Sequence, residues 1–371
     1  MKRWYLLLLL CMIILGIIIQ GMIIPVIVTA ATITDADLNK DGIVNMQDVT
    51  LITAIFDSIR GDSRFKDNCD INQDGAVNLA DVMLVGNYFG MNVPTTTPTP
   101  IPGNTKDKFG ITMFNSTITN GREWFCKWDQ GTERHYTWGY DALDPELVFR
   151  GSGDYTIYGS SGTHAGQMRL AGGVPRVYVR DYLGEDTPPP GTRTWNNVEV
   201  TFYAMTTSTG SNTSYAGIEA VVKTNHVPDT DLCGTRGYGG RMLFDGRMDF
   251  EKERCHSKED IRTTPVYNWQ DQGRMPLNTW IGYKYVARNC DNNTKVKLEL
   301  YRDMTDGQNG GAWELMLTFT DYDGWSAGVS CCAAHDGKPL LEPNWSVYLR
   351  TDGLGEQFYK KFSIREVPPL P

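Results

Sequence analysis

Apolar residues recur at helical spacing in two short stretches of this chain. Val49, Ile52, Ile55 and Phe56 do so in VTLITAIFDSI, and Val82, Val85, Tyr88 and Phe89 in VMLVGNYFG. Steps of three and four place each set on one face of a helix. Past residue 105 the helical period nearly vanishes. Alternating or apolar runs bounded by Gly, Asn and Asp take over, and they read as strands. These are VPRVYVR (174–180), NNVEVTFYAM (196–205), YAGIEAVVKT (215–224), RMDFEKE (247–253), WIGYKYVAR (280–288), KVKLELYR (295–302), WELMLTFTD (313–321), WSVYLR (345–350) and YKKFSIREV (359–367). Asp306-Gly307 and Asp323-Gly324 read as turns between them. Nine strands in succession predict an all-β two-sheet sandwich over residues 106–371.

Period two assigns the faces of these strands. Val198, Val200, Phe202 and Ala204 point one way, and Glu199, Thr201 and Tyr203 the other. The same alternation sets Ile218, Ala220 and Val222 against Glu219 and Lys223. It sets Met248 and Phe250 against Arg247, Asp249, Glu251 and Glu253. It sets Val296, Leu298 and Leu300 against Lys297, Glu299 and Tyr301, and Val347 and Leu349 against Tyr348 and Arg350. The apolar sets are the expected core. The polar sets leave it together, and are rich in carboxylates, guanidiniums and tyrosines rather than Ser, Thr and Lys.

Two further segments divide the chain. Residues 1–30 open with Lys2 and Arg3, run through a long apolar tract broken by Pro25, and end in small residues before Ala31. That pattern predicts a secretory signal, with an uncleaved membrane anchor as the alternative because the tract is long enough to span. Residues 92–105 hold VPTTTPTPIPGN, a Pro/Thr linker that favours extended backbone and cannot bury a core. The chain is thus expected to be multidomain and secreted or held at the cell surface. With 371 residues and 41% apolar content it can build more than one core. Its net charge of −9 argues against a nucleic-acid partner. Of eight cysteines, six lie beyond the linker, and an exported chain would be expected to pair them as three disulfides.

The two helical stretches each follow a loop, DLNKDGIVNMQD (37–48) and DINQDGAVNLAD (70–81). Asp37, Asn39, Asp41, Asn45 and Asp48 bear side-chain oxygens at loop positions 1, 3, 5, 9 and 12, and Asp70, Asn72, Asp74, Asn78 and Asp81 repeat them. Gly42 and Gly75 stand at position 6, where the loop turns sharply, and Ile43 and Ala76 at position 7, where a main-chain carbonyl suffices. Hard oxygen donors on such a loop suit Ca²⁺. Residues 33–91 resemble a type I dockerin, a small all-α module of two EF-hand-like loop–helix repeats. The resemblance implies two bound calcium ions and a cohesin domain of a scaffold protein as partner. It also implies that positions 10 and 11 of each loop, here Met46, Gln47, Leu79 and Ala80, help to choose that cohesin.

The sandwich is expected to act on polysaccharide. Its closing strand, with FSIRE, resembles concanavalin A-like jelly rolls, a fold shared by several glycoside hydrolases and polysaccharide lyases. Asp249, Glu251 and Glu253 fall on one strand face with neighbours about 6.6–6.8 Å apart at Cα. That spacing suits paired-carboxylate glycoside hydrolysis, and a third acid can keep a neighbour protonated. The arrangement is similar to the E-x-D-x-E strand of laminarinase-type hydrolases, though the acids here run D-x-E-x-E. The likeness implies Asp249 as nucleophile, Glu251 as tuning partner and Glu253 as acid/base. A charged face laced with Arg247, Lys252 and Arg254 is the structural alternative. A second reaction is β-elimination on a uronic-acid polymer, as in alginate- or glucuronan-lyase jelly rolls, whose Q-x-H strand is missing here. Lys223, Arg247, Lys284 or Arg350 would neutralise the carboxylate, and His226, Tyr203, Tyr301 or Tyr348 would take the proton. A third reading is a non-catalytic binder stacking sugars on Trp124, Trp128, Trp138, Trp269 or Trp325. GTRGYGGR (234–241) lacks the strand-to-helix setting of a nucleotide loop, so no nucleotide is expected.

Overall fold

The computed structural model describes residues 33–39, 44–90, 105–184, 188–210, 215–225, 235–255, 259–269, 274–322, 325 and 337–371. The expected signal segment, the Pro/Thr tract, Asp41, Ile43 and His226 lie outside them. No described helix is long and apolar enough to cross a membrane. The chain divides into two compact units, residues 1–96 and 97–371.

The first unit holds helices α1 (Ile33–Ala36), α2 (Met46–Ala54) and α3 (Leu79–Asn87), with a two-residue pair of strands, β1 (Ser58–Ile59) and β2 (Ala76–Val77). Asn45 and Asn78 cap α2 and α3, and in each case the acid three residues on closes a reciprocal capping box. Ala36, Val44, Ile52, Val77 and Val85 form its small core. Phe56 and Phe89, expected on the buried helix faces, are exposed, because the helices end at Ala54 and Asn87 before reaching them.

The second unit is a β-sandwich of sixteen strands: β3 (Glu123–Phe125), β4 (Arg134–Tyr136), β5 (Gly139–Asp141), β6 (Asp144–Ile157), β7 (Gln167–Val179), β8 (Val198–Thr209), β9 (Gly217–Thr224), β10 (Gly237–Leu243), β11 (Arg247–Cys255), β12 (Glu259–Arg262), β13 (Val266–Tyr267), β14 (Ile281–Cys290), β15 (Lys295–Asp303), β16 (Glu314–Asp321), β17 (Ser346–Arg350) and β18 (Leu354–Glu366). All nine predicted strands are present. One layer runs β5-β6-β7-β17-β9-β10-β11-β12, and the other β7-β18-β8-β14-β15-β16. The β6–β7 hairpin serves both, since β7 pairs with β17 through Arg176–Val179 and with β18 through Gln167–Ala171. The chain turns this corner on glycines. Gly173 has φ +67°, and a Cβ there would lie 1.8 Å from the Ser152 carbonyl oxygen. Gly151, with φ +74°, would meet the Val174 carbonyl oxygen at 2.1 Å.

The core matches the period-two assignment. Val198, Val200, Phe202 and Ala204 face Ile218, Ala220, Val222, Met248, Phe250, Val347 and Leu349 across the sandwich. The polar faces depart from expectation, because both are largely buried. On β8 and β14, residues 105–118 lie across Glu199, Thr201, Tyr203 and Lys284. Glu199 accepts from the main-chain amides of Phe114 (3.2 Å) and Asn115 (3.1 Å), from Lys284 Nζ (2.9 Å) and from Arg365 Nη2 (2.6 Å). Burial opposes its charge, but the Lys284 ammonium and Arg365 guanidinium outweigh burial and hold the carboxyl down at about 2. This face is closed by the strap. Among the described residues Cys126 and Cys290, expected in disulfides, are buried free thiols, and the side chains of Cys233, Cys255, Cys331 and Cys332 lie outside the described residues. Burial pushes Cys126 up to about 12.

Candidate functional site

The two loops of the first unit share one hydrogen-bond scheme. Asp48 Oδ1 accepts from the amides of Leu38 (2.7 Å) and Asn39 (3.1 Å), and Oδ2 from Asn45 (2.8 Å). Asp81 Oδ1 accepts from Ile71 (2.7 Å) and Asn72 (3.2 Å), and Oδ2 from Asn78 (2.9 Å). The twelfth residue thus closes each loop onto its own start. In the second loop Asp70 Oδ2 takes the Gly75 amide (2.9 Å), and Gly75 has φ +88°. Asp70 Oδ1 is buried with no hydrogen-bond partner. Burial raises the Asp70 pKa, and Asp81 and Asp74 add to it by like-charge repulsion. An orphaned carboxylate oxygen beside two more acids is what a cation would relieve, so the donor set fits Ca²⁺. Asp70, Asn72, Asp74, the Ala76 carbonyl and Asp81 would hold it there, and Asp37, Asn39, Asn45 and Asp48 stand in matching places in the first loop. As they stand, no three His, Cys, Asp or Glu side chains among the described residues are grouped tightly enough to hold a metal ion, so the loop acids would have to draw in around it with the amide and main-chain oxygens. At loop positions 10 and 11 Met46, Gln47, Leu79 and Ala80 are exposed. Met46 (62% exposed) and Leu79 (61%), with Met83 (64%) one turn on, give the unit an apolar surface beside both loops.

In the sandwich, the outer face of the β9–β10–β11–β17 layer gathers the predicted acids. Asp249, Glu251 and Glu253 do share it, and each is buried. Their partners are cations of other strands, not Arg247 or Lys252. Arg241 reaches Asp249 with Nε (2.6 Å) and Nη2 (2.8 Å), and Glu251 with Nη1 (2.7 Å). Arg262 Nε donates to Glu251 (2.7 Å). Arg350 Nη1 donates to Glu251 (3.2 Å) and Glu253 (3.4 Å), and Tyr348 donates its hydroxyl to Glu253 (3.2 Å). Lys252 lies on the core side, paired with Asp321 at 2.7 Å, and Arg247 pairs with Asp245. Arg254 has its side chain outside the described residues.

A fourth carboxyl enters from β9. Glu219 lies opposite Arg241 in the β9–β10 register, and its Oε1 sits where a Cβ on Gly239 would be, 1.9 Å away. Gly239 is in turn opposite Glu251. Glu219 and Glu251 therefore flank a position with no side chain. Glu219 Oε1 has no hydrogen-bond partner, and Oε2 is 3.7 Å from Arg350 Nε. Burial, opposed by Arg350 and reinforced by Glu251 and Glu253, raises its carboxyl to about 8. Sequence reasoning passed over Glu219 because only strand register brings it to β11.

Of the residues suggested for β-elimination, Arg350 and Tyr348 meet at Glu253, and the others described are scattered. Arg350 is on this face, and Arg247 is at the start of β11. Tyr301 and Tyr203 lie on the other layer, beneath the strap, as does Lys284. Lys223 sits at a β-bulge of β9 with φ +51°, its Nζ donating to Asn196 Oδ1 (2.7 Å) and the Leu341 carbonyl (3.3 Å). It lines a pocket of about 190 Å³ with Arg236, Lys338 and Glu342. Burial lowers its pKa to about 7, with Glu342 opposing. Of the five tryptophans named as sugar-stacking candidates, Trp124, Trp128 and Trp269 are buried, Trp325 is half-buried, and Trp138 is exposed.

Several solved structures resemble the chain. Alginate lyase Aly36B shares 11% identity over 67% of this chain and 98% of its own, with a TM-score of 0.36. The VIP36 exoplasmic/lumenal domain, Ca²⁺-bound form, shares 8% over 66% of this chain and 92% of its own, with a TM-score of 0.37. Cellulose induced protein Cip1 shares 11% over 66% and 95%, with a TM-score of 0.32. No curated protein matches the chain. Residues 35–90 match the family of the dockerin type I domain, so the first unit is a dockerin type I domain joined to a β-sandwich.

Proposed function

We propose that this chain is an exported, scaffold-docked glycoside hydrolase. Its dockerin would bind a cohesin through the apolar surface of Met46, Leu79 and Met83, with two calcium ions closing the loops that present it. The sandwich would cut polysaccharide at the β9–β11 face, whose four acids are at most 4% exposed and must be uncovered for a polymer to reach them. One observation carries the reaction class: Glu219 and Glu251 flank the bare backbone of Gly239, one short of hydrogen-bond partners and the other ringed by guanidiniums. Glu219 keeps a proton near neutrality, as a general acid must. Glu251, clamped by Arg241, Arg262 and Arg350, would be the second carboxyl of the pair, and Glu253 and Asp249 stand beside it. The role of acid thus passes from Glu253 to Glu219, with Asp249 locked onto Arg241.

The test is incubation of the full chain with neutral and uronic polysaccharides, reading new reducing ends and near-ultraviolet absorbance. Reducing ends without unsaturation, abolished in Glu219→Gln and Glu251→Gln, are expected. A second reading rests on the Lys223 pocket. There the Lys223 amine, its pKa lowered to about 7, stands beside Arg236 and Lys338, a base next to groups that would neutralise a uronate. Unsaturated product that survives Glu219→Gln but not Lys223→Met would favour elimination. Docking is tested separately on an immobilised cohesin, where capture of the full chain should need Ca²⁺ and fail in EGTA.

A further inference from the structure

We infer that Trp138 and Tyr140 form a sugar-stacking platform at the edge of the sandwich, on its own patch of surface apart from the buried Glu219 and Glu251. Tyr140 is the middle residue of the edge strand β5 and Trp138 immediately precedes that strand. Two residues apart, they share a face. Gly139 pairs with the core residue Phe149, so Trp138 and Tyr140 project on the outer side. They are 56% and 55% exposed.

Strand register puts this edge on the same outer side as the carboxylates, but Val148, Tyr178, Tyr348 and Val221 between them form a buried cluster with Leu183 packed on it. Tyr140 is opposite Val148, Val148 opposite Tyr178, Tyr178 opposite Tyr348, and Tyr348 opposite Val221. Val221 is opposite Gly239, and Gly239 opposite Glu251. From β5 to β9 is four strand spacings, about 19 Å, so the platform stands well apart from the acids.

The platform is rigid. Asp141, buried beneath it, pairs with Arg134 and accepts from the Tyr136 hydroxyl at 2.9 Å. The Arg150 guanidinium lies 5.1 Å from the Trp138 ring centre and steadies that ring. Beside the platform the corner of the β6–β7 hairpin forms a shallow depression lined by Thr137, Ser152, Asp154 and the glycines 151, 153, 172 and 173. Flat aromatic faces next to hydroxyls, a carboxylate and uncovered main chain suit a ligand with apolar faces and hydroxylated edges. A pyranose has that shape. A protein partner or a second copy would favour a wider aliphatic patch, whereas Leu143 and Val174 are the exposed aliphatics nearby.

This inference rests on the polysaccharide reading and is tested so that the two fail differently. The full chain and Trp138→Ala/Tyr140→Ala are run on native gels containing each polysaccharide, and their cleavage of polymer and of short soluble oligosaccharides is compared. Retardation of the wild type, reduced tenfold or more in the double variant and restored by Trp138→Phe/Tyr140→Phe, is expected. Cleavage of polymer should fall more in the double variant than cleavage of short oligosaccharides, and Glu251→Gln should still be retarded. Equal retardation of wild type and double variant would overturn the platform while leaving the polysaccharide reading intact. If no polymer retards the wild type, both fall. A self-associated mass in light scattering that the double variant abolishes would make the patch a protein interface and overturn the inference.

Discussion

Glu199 and Glu219 occupy equivalent outward positions on two strands, and their surroundings drive them opposite ways. Glu199 keeps its charge under the strap because Lys284 and Arg365 face it. Its carboxyl falls from an ordinary 4.5 to about 2, so its contribution is present above about pH 4.5 and lost as pH falls toward 2. That contribution is about 3 kcal/mol. Glu199→Gln would leave two buried cations short of their partner and cost about 3–5 kcal/mol at pH 7, read from the urea midpoint. It should also flatten the acid limb of stability against pH. Glu219 shows the reverse sign. With its pKa raised to about 8, its stabilising share is full below about 4.5 and declines as pH rises to 8. Glu219→Gln should therefore lose catalysis yet match or exceed wild-type stability above pH 8. Wild-type turnover should fall over the same range as the acid ionises. That Asp249, Glu251 and Glu253 share a face was legible from period two. Their guanidinium partners, and Glu219 itself, were not, because they arrive from other strands: Arg241 and Arg262 from those flanking β11, Glu219 and Arg350 from β9 and β17.

At the scale of elements, the strands read correctly were those with clean alternation. β10 was missed because GYGGRML looks like a loop. Its glycines answer to neighbours on both faces: a Cβ at Gly240 would lie 2.8 Å from the Tyr283 hydroxyl, and one at Gly239 would meet Glu219. β6 was missed because Gly151 and Gly153 interrupt its pattern where the hairpin passes from one layer to the other. That corner gives a graded prediction. Gly173→Ala meets the Ser152 carbonyl at positive φ and should cost roughly 3 kcal/mol in urea unfolding. Gly162→Ala, also at positive φ but with nothing within 4 Å, should cost about 1 kcal/mol. In the dockerin both helices stop earlier than their apolar spacing implied, since Ile55 and Tyr88 leave helical geometry and Ser58–Ile59 turns to pair with Ala76–Val77.

For the whole molecule, a metal-dependent unit and a sandwich with its own core should unfold separately. In calorimetry of the full chain, EGTA should abolish or lower the transition of the dockerin and leave that of the sandwich unmoved; a single transition shifted as one would refute this. The duplicated loops were readable without coordinates because calcium ligation is local: every donor of a loop lies within twelve residues, and spacing alone decides which atoms meet. Period two likewise sorted core from surface within each strand. Which outward faces are covered, which acid keeps its proton and which aromatic stays in water depend on strands brought together from distant parts of the sequence. Desolvation and charge pairing act across those contacts, so only the tertiary structure decided them.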